Sequence, residues 1–307
     1  MKLPEYLEHL SEEISGIVSS DFQSKVKKYS QVSKIVEACE KKKTKDDEFT
    51  AFRMKTCVLY IDIRRSVLPE VHGRSRDKTK VYFAFLRVIA NAAEFYGGVV
   101  VNQASDRMMV VFDDEDCFTE AVNTAYLLNT AAQNIFAPLF PHRAIRCGIG
   151  IDYGSLLVSR IPVTHRGDSV PTHHDIVWQG KPAHNASKLM ATANGALAAD
   201  DGVGQVGRAF HEIREWGWRV ADEYANMMNM LGVSAANKYT GPKFQLARLD
   251  PEPGRIEPIL VSGRMLDGLR KHRPDDVSLK RLWWRKKAVK VPGFPGEVYG
   301  TNVIYTC

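Results

Sequence analysis

The sequence predicts an α+β fold, a mixed or antiparallel sheet with helices packed over one face, and three observations carry that expectation. Apolar, β-branched runs and stretches of helical spacing follow one another as strand, helix, strand, strand, helix, strand, strand. Turn residues punctuate them, notably Gly97-Gly98 and the segment from Asp152 to Gly154. No strand is followed by GxxxxGK[ST] or GxGxxG, so the P-loop and Rossmann routes to a bound phosphate are excluded.

The elements can be justified in order. Residues 1–48 are polar with scattered apolar positions and end in the charged run EKKKTKDDE, which reads as a helical N-terminal arm and a solvated link. At Thr56 the pattern changes: TCVLYIDI is strand-like, and Val81, Phe85, Val88, Ala92 and Phe95 then recur at helical spacing. Gly97 and Gly98 end that helix. VVVNQ and RMMVVF form a hairpin around Ala104 to Asp106, which puts Asp106 at or beside its turn. A helix over about Asp116 to Phe136 precedes AIRCGIGID and GSLLVSRI, expected as another strand pair turning between Asp152 and Gly154.

Composition narrows the class. The 307 residues are 44% hydrophobic and 25% charged, as in an ordinary globular protein, and the +6 formal charge suits nucleic acid or a polyanionic small substrate alike. Cys39, Cys57, Cys117, Cys147 and Cys307 form no CxxC pair, which points to reduced cytosolic thiols. No window approaches the roughly 18 to 20 apolar residues of a membrane span, so a soluble, cytoplasmic protein is expected. The segment RLWWRKKAVK, with Trp283 and Trp284 among cations, offers a base-stacking surface, but tryptophans at a domain end usually pack, and no nucleic-acid partner is expected.

Asp62, closing one apolar run, and Asp106, opening another, become a chemical site if the hairpin lies beside the first strand. Two carboxylates on one sheet edge can share hard cations, and two such ions activate a hydroxyl and stabilise a leaving phosphate oxygen. Mg²⁺ or Mn²⁺ suits oxygen ligands. Residues Ile63 to Ser66 can offer backbone N–H groups to phosphates, with Arg64 or Arg65 adding charge.

These segments resemble the nucleotidyl cyclase domain of the class III adenylate and guanylate cyclases. YIDIRRS is similar to the family's metal-binding strand, SDRMMVVF to its second metal hairpin, RCGIGIDYGSLLVS to its Gly-containing strand pair, and VWQGKPAHNASKLMATAN to its late catalytic helix. EPILVSGRMLDGL and KAVKVPGFPGEVYGTNVI resemble the closing elements. The resemblance implies a ferredoxin-like cyclase domain over residues 49–307, interrupted by a helical insertion at about 195–256. It implies a head-to-tail homodimer with shared active sites, in which the 3′-hydroxyl of a nucleoside triphosphate attacks its own α-phosphate and expels pyrophosphate. Two divalent cations would be held by Asp62, Asp106 and the backbone carbonyl of Ile63.

Departures from the family pattern bear on the substrate. Asn102 stands where purine cyclases carry a Lys four residues before the second metal Asp, and Ser105 replaces the Gly before that Asp. An unpaired polar group in a base pocket costs about 1 to 3 kcal/mol, enough to alter base preference. Asp175 in DIVWQG corresponds to a base-reading Asp, displaced by added residues. On the late helix His184 falls at an Asn position, with Asn185 able to take the role after a one-residue shift, and Lys188 falls at the Arg position that stabilises transition-state charge. Phe52, Met54 and Trp178 are apolar candidates for the base pocket. The combination resembles the bacterial pyrimidine cyclases of the Pycsar anti-phage system, which make cyclic UMP or cyclic CMP for a separate effector. UTP is therefore the expected substrate, ahead of CTP, against two alternatives: a purine cyclase and a catalytically silent nucleotide-binding module.

Overall fold

The computed structural model describes residues 25–40, 50–63, 75–104, 107–136, 147–163, 173–195, 245–249 and 256–306, and before residue 25 only residues 5, 8, 11, 12, 14 and 15. The chain runs β1 (Lys25–Lys28), α1 (Val32–Glu40), β2 (Thr50–Ile63), α2 (Ser75–Phe95), β3 (Val99–Ala104), β4 (Arg107–Val111) and α3 (Cys117–Ala131), the last continued by a π-helical turn, Ala132–Phe136. It continues through β5 (Cys147–Val163), β6 (His173–Gln179), α4 (Lys181–Gly195), β7 (Gln245–Arg248), β8 (Ile259–Ser262), α5 (Gly263–His272), a one-turn α6 (Val277–Lys280), β9 (Arg285–Lys286), β10 (Val298–Thr301) and β11 (Val303–Thr306).

The strands β3-β4-β2-β5-β8-β10-β9 form the main sheet, with β1 added to β2 and β6 to β5. β1 runs parallel to β2 and β8 parallel to β5, while the other pairs are antiparallel, so the sheet is mixed. Its period of two sorts the core. Leu59, Ile61, Ile149, Ile151, Ile259 and Val261 project to one face and bury the apolar stripes of α2, α3 and α5. Phe52, Met54, Val58, Leu156 and Val158 project to the other and lie under α1 and the start of α4.

Three expectations change. Helices cover both faces rather than one, because β2 and β5 are apolar at both parities and each face needs a partner. The arm is not wholly helical, since Lys25–Lys28 joins the sheet beside Thr50–Arg53. It is fastened where Asp113 Oδ1 accepts from the Val32 amide at 2.7 Å and Arg160 donates to the Cys39 carbonyl at 3.2 Å, satisfying orphan groups at both ends of α1. Finally, Asp152 and Gly154 make no turn: β5 passes through them as one 17-residue strand, and the antiparallel return is β6. Left-handed φ values among described glycines occur at Gly97, Gly180 and Gly293, and Gly97 ends α2 at the expected place.

Of the insertion, residues 196–244 and 250–255 lie outside the described residues, and the part described is a strand. β7 pairs antiparallel with β11 in a second, two-stranded sheet. The chain crosses to it at Asn302, whose side-chain oxygen accepts from Asn129 at 3.0 Å and Gln133 at 2.9 Å. Cys39, Cys57, Cys117 and Cys147 are buried. Trp284 is packed in the core, and Trp283 lies half-buried beneath the Arg281 guanidinium, so neither ring is a bare stacking platform. Among the described residues no helix is long and apolar enough to cross a membrane.

Candidate active site

Strand β2 delivers Asp62 to the end of the sheet between β4 and β5, opposite Arg107 on one side and Gly148 on the other. Its even parity places the carboxylate on the α4 face, with Val58 and Tyr60. The residue is 3% exposed, and Arg107 Nε donates to Asp62 Oδ2 at 3.0 Å. This is a cross-strand ion pair between a buried carboxylate and a guanidinium whose side chain is 37% exposed. Burial and the Asp62 charge together push the Cys147 thiol up to about 12, so that sulfur stays protonated beside the site.

Helix α4 reaches the same place from above. Asn194 Nδ2 donates to the Asp62 backbone carbonyl at 3.4 Å. Gly148 is required beneath it, because a Cβ there would stand 2.7 Å from the Met190 carbonyl oxygen. Ile63, the next residue, has a fully buried side chain opposite Cys147. Asp106, Arg64, Arg65 and Ser66 lie outside the described residues, and with them the expected pairing of Asp62 with Asp106. Their neighbours are described: β4 begins at Arg107 directly beside Asp62, which puts the end of the hairpin at the Asp62 edge of the sheet.

The remaining candidates fall into two groups. Asn102 is exposed on β3 opposite Met109, at a bulge in the β3–β4 ladder. Bulges re-aim side chains, and the face that Asn102 shares with Met109 is the Asp62 face. His184 is exposed on the first turn of α4, whereas Asn185 donates through Nδ2 to Asp152 Oδ2 at 2.8 Å. Lys188, half-buried, donates to the Gly293 carbonyl at 2.8 Å. Asp175 is placed on β6 opposite Ile161, with its side chain outside the described residues. Met54 and Trp178 are buried with Phe52 against Val32, Ile35 and Cys39 of the arm, where they act as core.

Sequence reasoning missed Arg107, Asn194 and the Asp152 cluster. Arg107 is legible in hindsight as the neighbour of Asp106 in SDRMM, whereas Asn194 carries no local signal, since its partner is 132 residues away.

No family model matches the chain. It is 29% identical over 137 residues to a uridylate cyclase of Burkholderia cepacia and 30% identical over 146 residues to one of Xanthomonas perforans, stretches covering 43% and 46% of this chain. They cover 57% and 60% of those relatives, so the chain spans little more than half the length of the curated relatives it matches. Among solved structures, a bacterial light-regulated adenylyl cyclase superposes with a TM-score of 0.51 at 10% identity, over 97% of this chain and 62% of that one. The fold is that of the class III nucleotidyl cyclases. On a class III frame, Asp62 occupies the end of a central strand, α4 crosses the same face, and Asn102 stands on the neighbouring hairpin.

Proposed function

We propose that residues 49–307 form a nucleotidyl cyclase domain, interrupted by the insertion at about 195–256, that converts UTP to 3′,5′-cyclic UMP and pyrophosphate. The observation that carries this reading is the likeness to two uridylate cyclases, joined to a buried carboxylate at the strand end of a class III sheet. Asn102, in place of a purine-reading Lys, supports a pyrimidine base; its amide offers one donor and one acceptor face to a uracil edge. CTP remains the nearest alternative.

The residues present fit a hard divalent cation. The donors are carboxylate and carbonyl oxygens, and Asp62 already faces a cationic group, Arg107, on a half-exposed arm that can give way. Asp62, Asp106 and the Ile63 carbonyl would hold two ions, Mn²⁺ or Mg²⁺. Such ions, when bound, acidify the ribose 3′-hydroxyl and neutralise phosphate charge. The 3′-oxygen, giving its proton to water, forms its bond to the α-phosphorus as the bond to the pyrophosphate oxygen breaks.

Lys188 would supply positive charge to the transition state, but not to its own Asp62. Six residues of helix separate it from Asn194, about 9 Å at 1.5 Å per residue, and its amine is turned to Gly293. A second copy in a head-to-tail homodimer brings Lys188 and His184 to a partner's Asp62, which gives the dimer a chemical reason. We further propose a role in anti-phage defence, with the cyclic nucleotide read by a separate effector.

The test is incubation of the purified protein with each of UTP, CTP, ATP and GTP and Mn²⁺, followed by mass analysis. Cyclic UMP is expected. Cyclic CMP alone would move the substrate within the pyrimidines, cyclic AMP or cyclic GMP alone would make it a purine cyclase, and no product with any metal would leave a nucleotide-binding module.

A further inference from the structure

Helix α4 lies along β5 on the face where that strand presents, at alternate positions, Gly148, Gly150, Asp152 and Gly154. The contacts follow in order. Pro182 sits over Gly154, Asn185 bonds to Asp152, Ala186 and Met190 press on Gly150, and Met190 and Asn194 press on Gly148. A Cβ on Gly150 would collide with the Ala186 carbonyl. Glycines let the helix backbone approach the strand closely, but a stripe without side chains offers nothing to stop the helix sliding or turning on it.

Asp152 is the one side chain in the stripe. It is fully buried, and its carboxylate takes four donors: Ser262 Oγ at 2.5 Å and Arg264 Nε at 2.7 Å on Oδ1, Arg264 Nη2 and Asn185 Nδ2 on Oδ2. Ser262 is itself the N-cap of α5, accepting from the Met265 amide at 3.2 Å. The hydrogen bonds to Asp152 hold the Arg264 guanidinium charged and raise its pKa. A buried charge this fully satisfied is rigid and specific for geometry, because any displacement leaves it short of donors.

We infer that the Asp152 cluster is a pin that fixes the register of α4 on β5, making Asp152, Asn185 and Arg264 positioning residues for the α4 groups and for the Asp62 strand end. A slip of one residue moves α4 by about 1.5 Å and turns it by about 100°. Such a slip carries His184 and Lys188 away from their places and takes Asn194 off the Asp62 carbonyl. The activity side of this inference rests on the cyclase reading; the structural side does not.

Two variants test it in the full-length protein. Asn185→Val removes the α4 half of the pin and leaves Asp152 with Ser262 and Arg264. The expected result is a folded protein whose turnover at saturating UTP falls about tenfold while KM changes less than about twofold. Its α4 backbone amides, followed by hydrogen exchange without nucleotide, exchange about fivefold faster while those of α5 do not change. Arg264→Lys touches α5 alone and keeps the charge but cannot fork. It is expected to give the same α4 exchange signature at about half the size, carried to α4 through the Asp152 carboxylate that Arg264 and Asn185 share. Unchanged α4 exchange in both variants overturns the inference. So does lost turnover in Asn185→Val with unchanged exchange, which would make Asn185 a substrate contact. If the wild-type chain cyclises none of the four triphosphates, the proposed function falls, and the exchange comparison alone decides the pin.

Discussion

Asp62 and Asp152 are two carboxylates on one face of one sheet beneath one helix, and they differ in who holds them. Asp152 is closed in by four donors from β8, α5 and α4. Asp62, at the strand end, faces a guanidinium whose side chain is 37% exposed. The Arg264 side chain is itself 45% exposed, so exposure of the cation does not separate the two sites. Asp152 must break bonds to three elements at once to take a metal ion, whereas the Arg107 bond to Asp62 comes from one side chain at the strand end. Burial is nearly equal at the two positions, so burial does not separate chemistry from architecture here; the number of elements tied to each carboxylate does.

The comparison breaks most sharply at Asp62. Asp62→Ala is expected to lower UTP turnover by about three orders of magnitude or more, because it removes a metal ligand. It should change stability by less than about 1 kcal/mol, since Arg107 can turn to water. Substantial turnover in a folded Asp62→Ala protein would remove the metal assignment. Asp152→Ala should do the reverse in kind, costing about 1 to 3 kcal/mol, chiefly by leaving the buried Ser262 hydroxyl and the Asn185 amide without their acceptor, since the Arg264 side chain is 45% exposed and can turn to water. A urea midpoint close to wild type would show that water replaces the carboxylate and that the cluster holds nothing.

The glycine stripe refines the contrast on a scale of single methyl groups. Gly150→Ala puts a Cβ into the Ala186 carbonyl and should cost about 2 to 3 kcal/mol, with turnover reduced as α4 is lifted. Gly154→Ala meets only Pro182, at 3.5 Å, an ordinary contact, and should be within about 1 kcal/mol of wild type. Equal midpoints for the two would mean that α4 does not ride on the stripe.

Much of this was legible in the sequence, and the exceptions have a common cause. The place of Asp62 at a strand end was readable because a charged residue closing an apolar run is a local anomaly, and Gly97 because a helix stop is local. Asp152 was misread as a turn residue because Asp-Tyr-Gly has turn composition. What keeps that segment extended are donors 33 to 112 residues away, which no local window contains. Phe52 and Met54 share the parity of Asp62, but the same parity serves a core, and in the fold both are buried with Trp178 in the cluster that includes Val32, Ile35 and Cys39 of α1. The bulge beside Asn102 was equally hidden, since a register shift belongs to two strands at once.

A third carboxylate completes the series, with the smallest expected effect. Glu120, in the first turn of α3, has a carboxylate oxygen buried without a hydrogen-bond partner among the described residues. Burial, then the like charges of Asp116 and Asp113, push its pKa up to about 7 from an ordinary 4.5. Where Asp152 has donors, Glu120 has repulsion. Below about pH 4.5 it is protonated whether the chain is folded or not and costs nothing. Between about 4.5 and 7 the folded state keeps a proton that the unfolded state releases, so stability falls as pH rises through that window, and above about 7 the full cost remains. Because the side chain is roughly half exposed, solvent screening reduces that cost to about 1 kcal/mol. Glu120→Gln removes the titration while keeping the shape. Urea unfolding of the two proteins should therefore coincide near pH 4.5 and diverge by about 1 kcal/mol in favour of the Glu120→Gln variant at pH 8, with the divergence appearing across the window where Glu120 ionises. A constant difference across that range would mean that the amide gains a contact of its own, and that the charge at Glu120 costs the fold nothing.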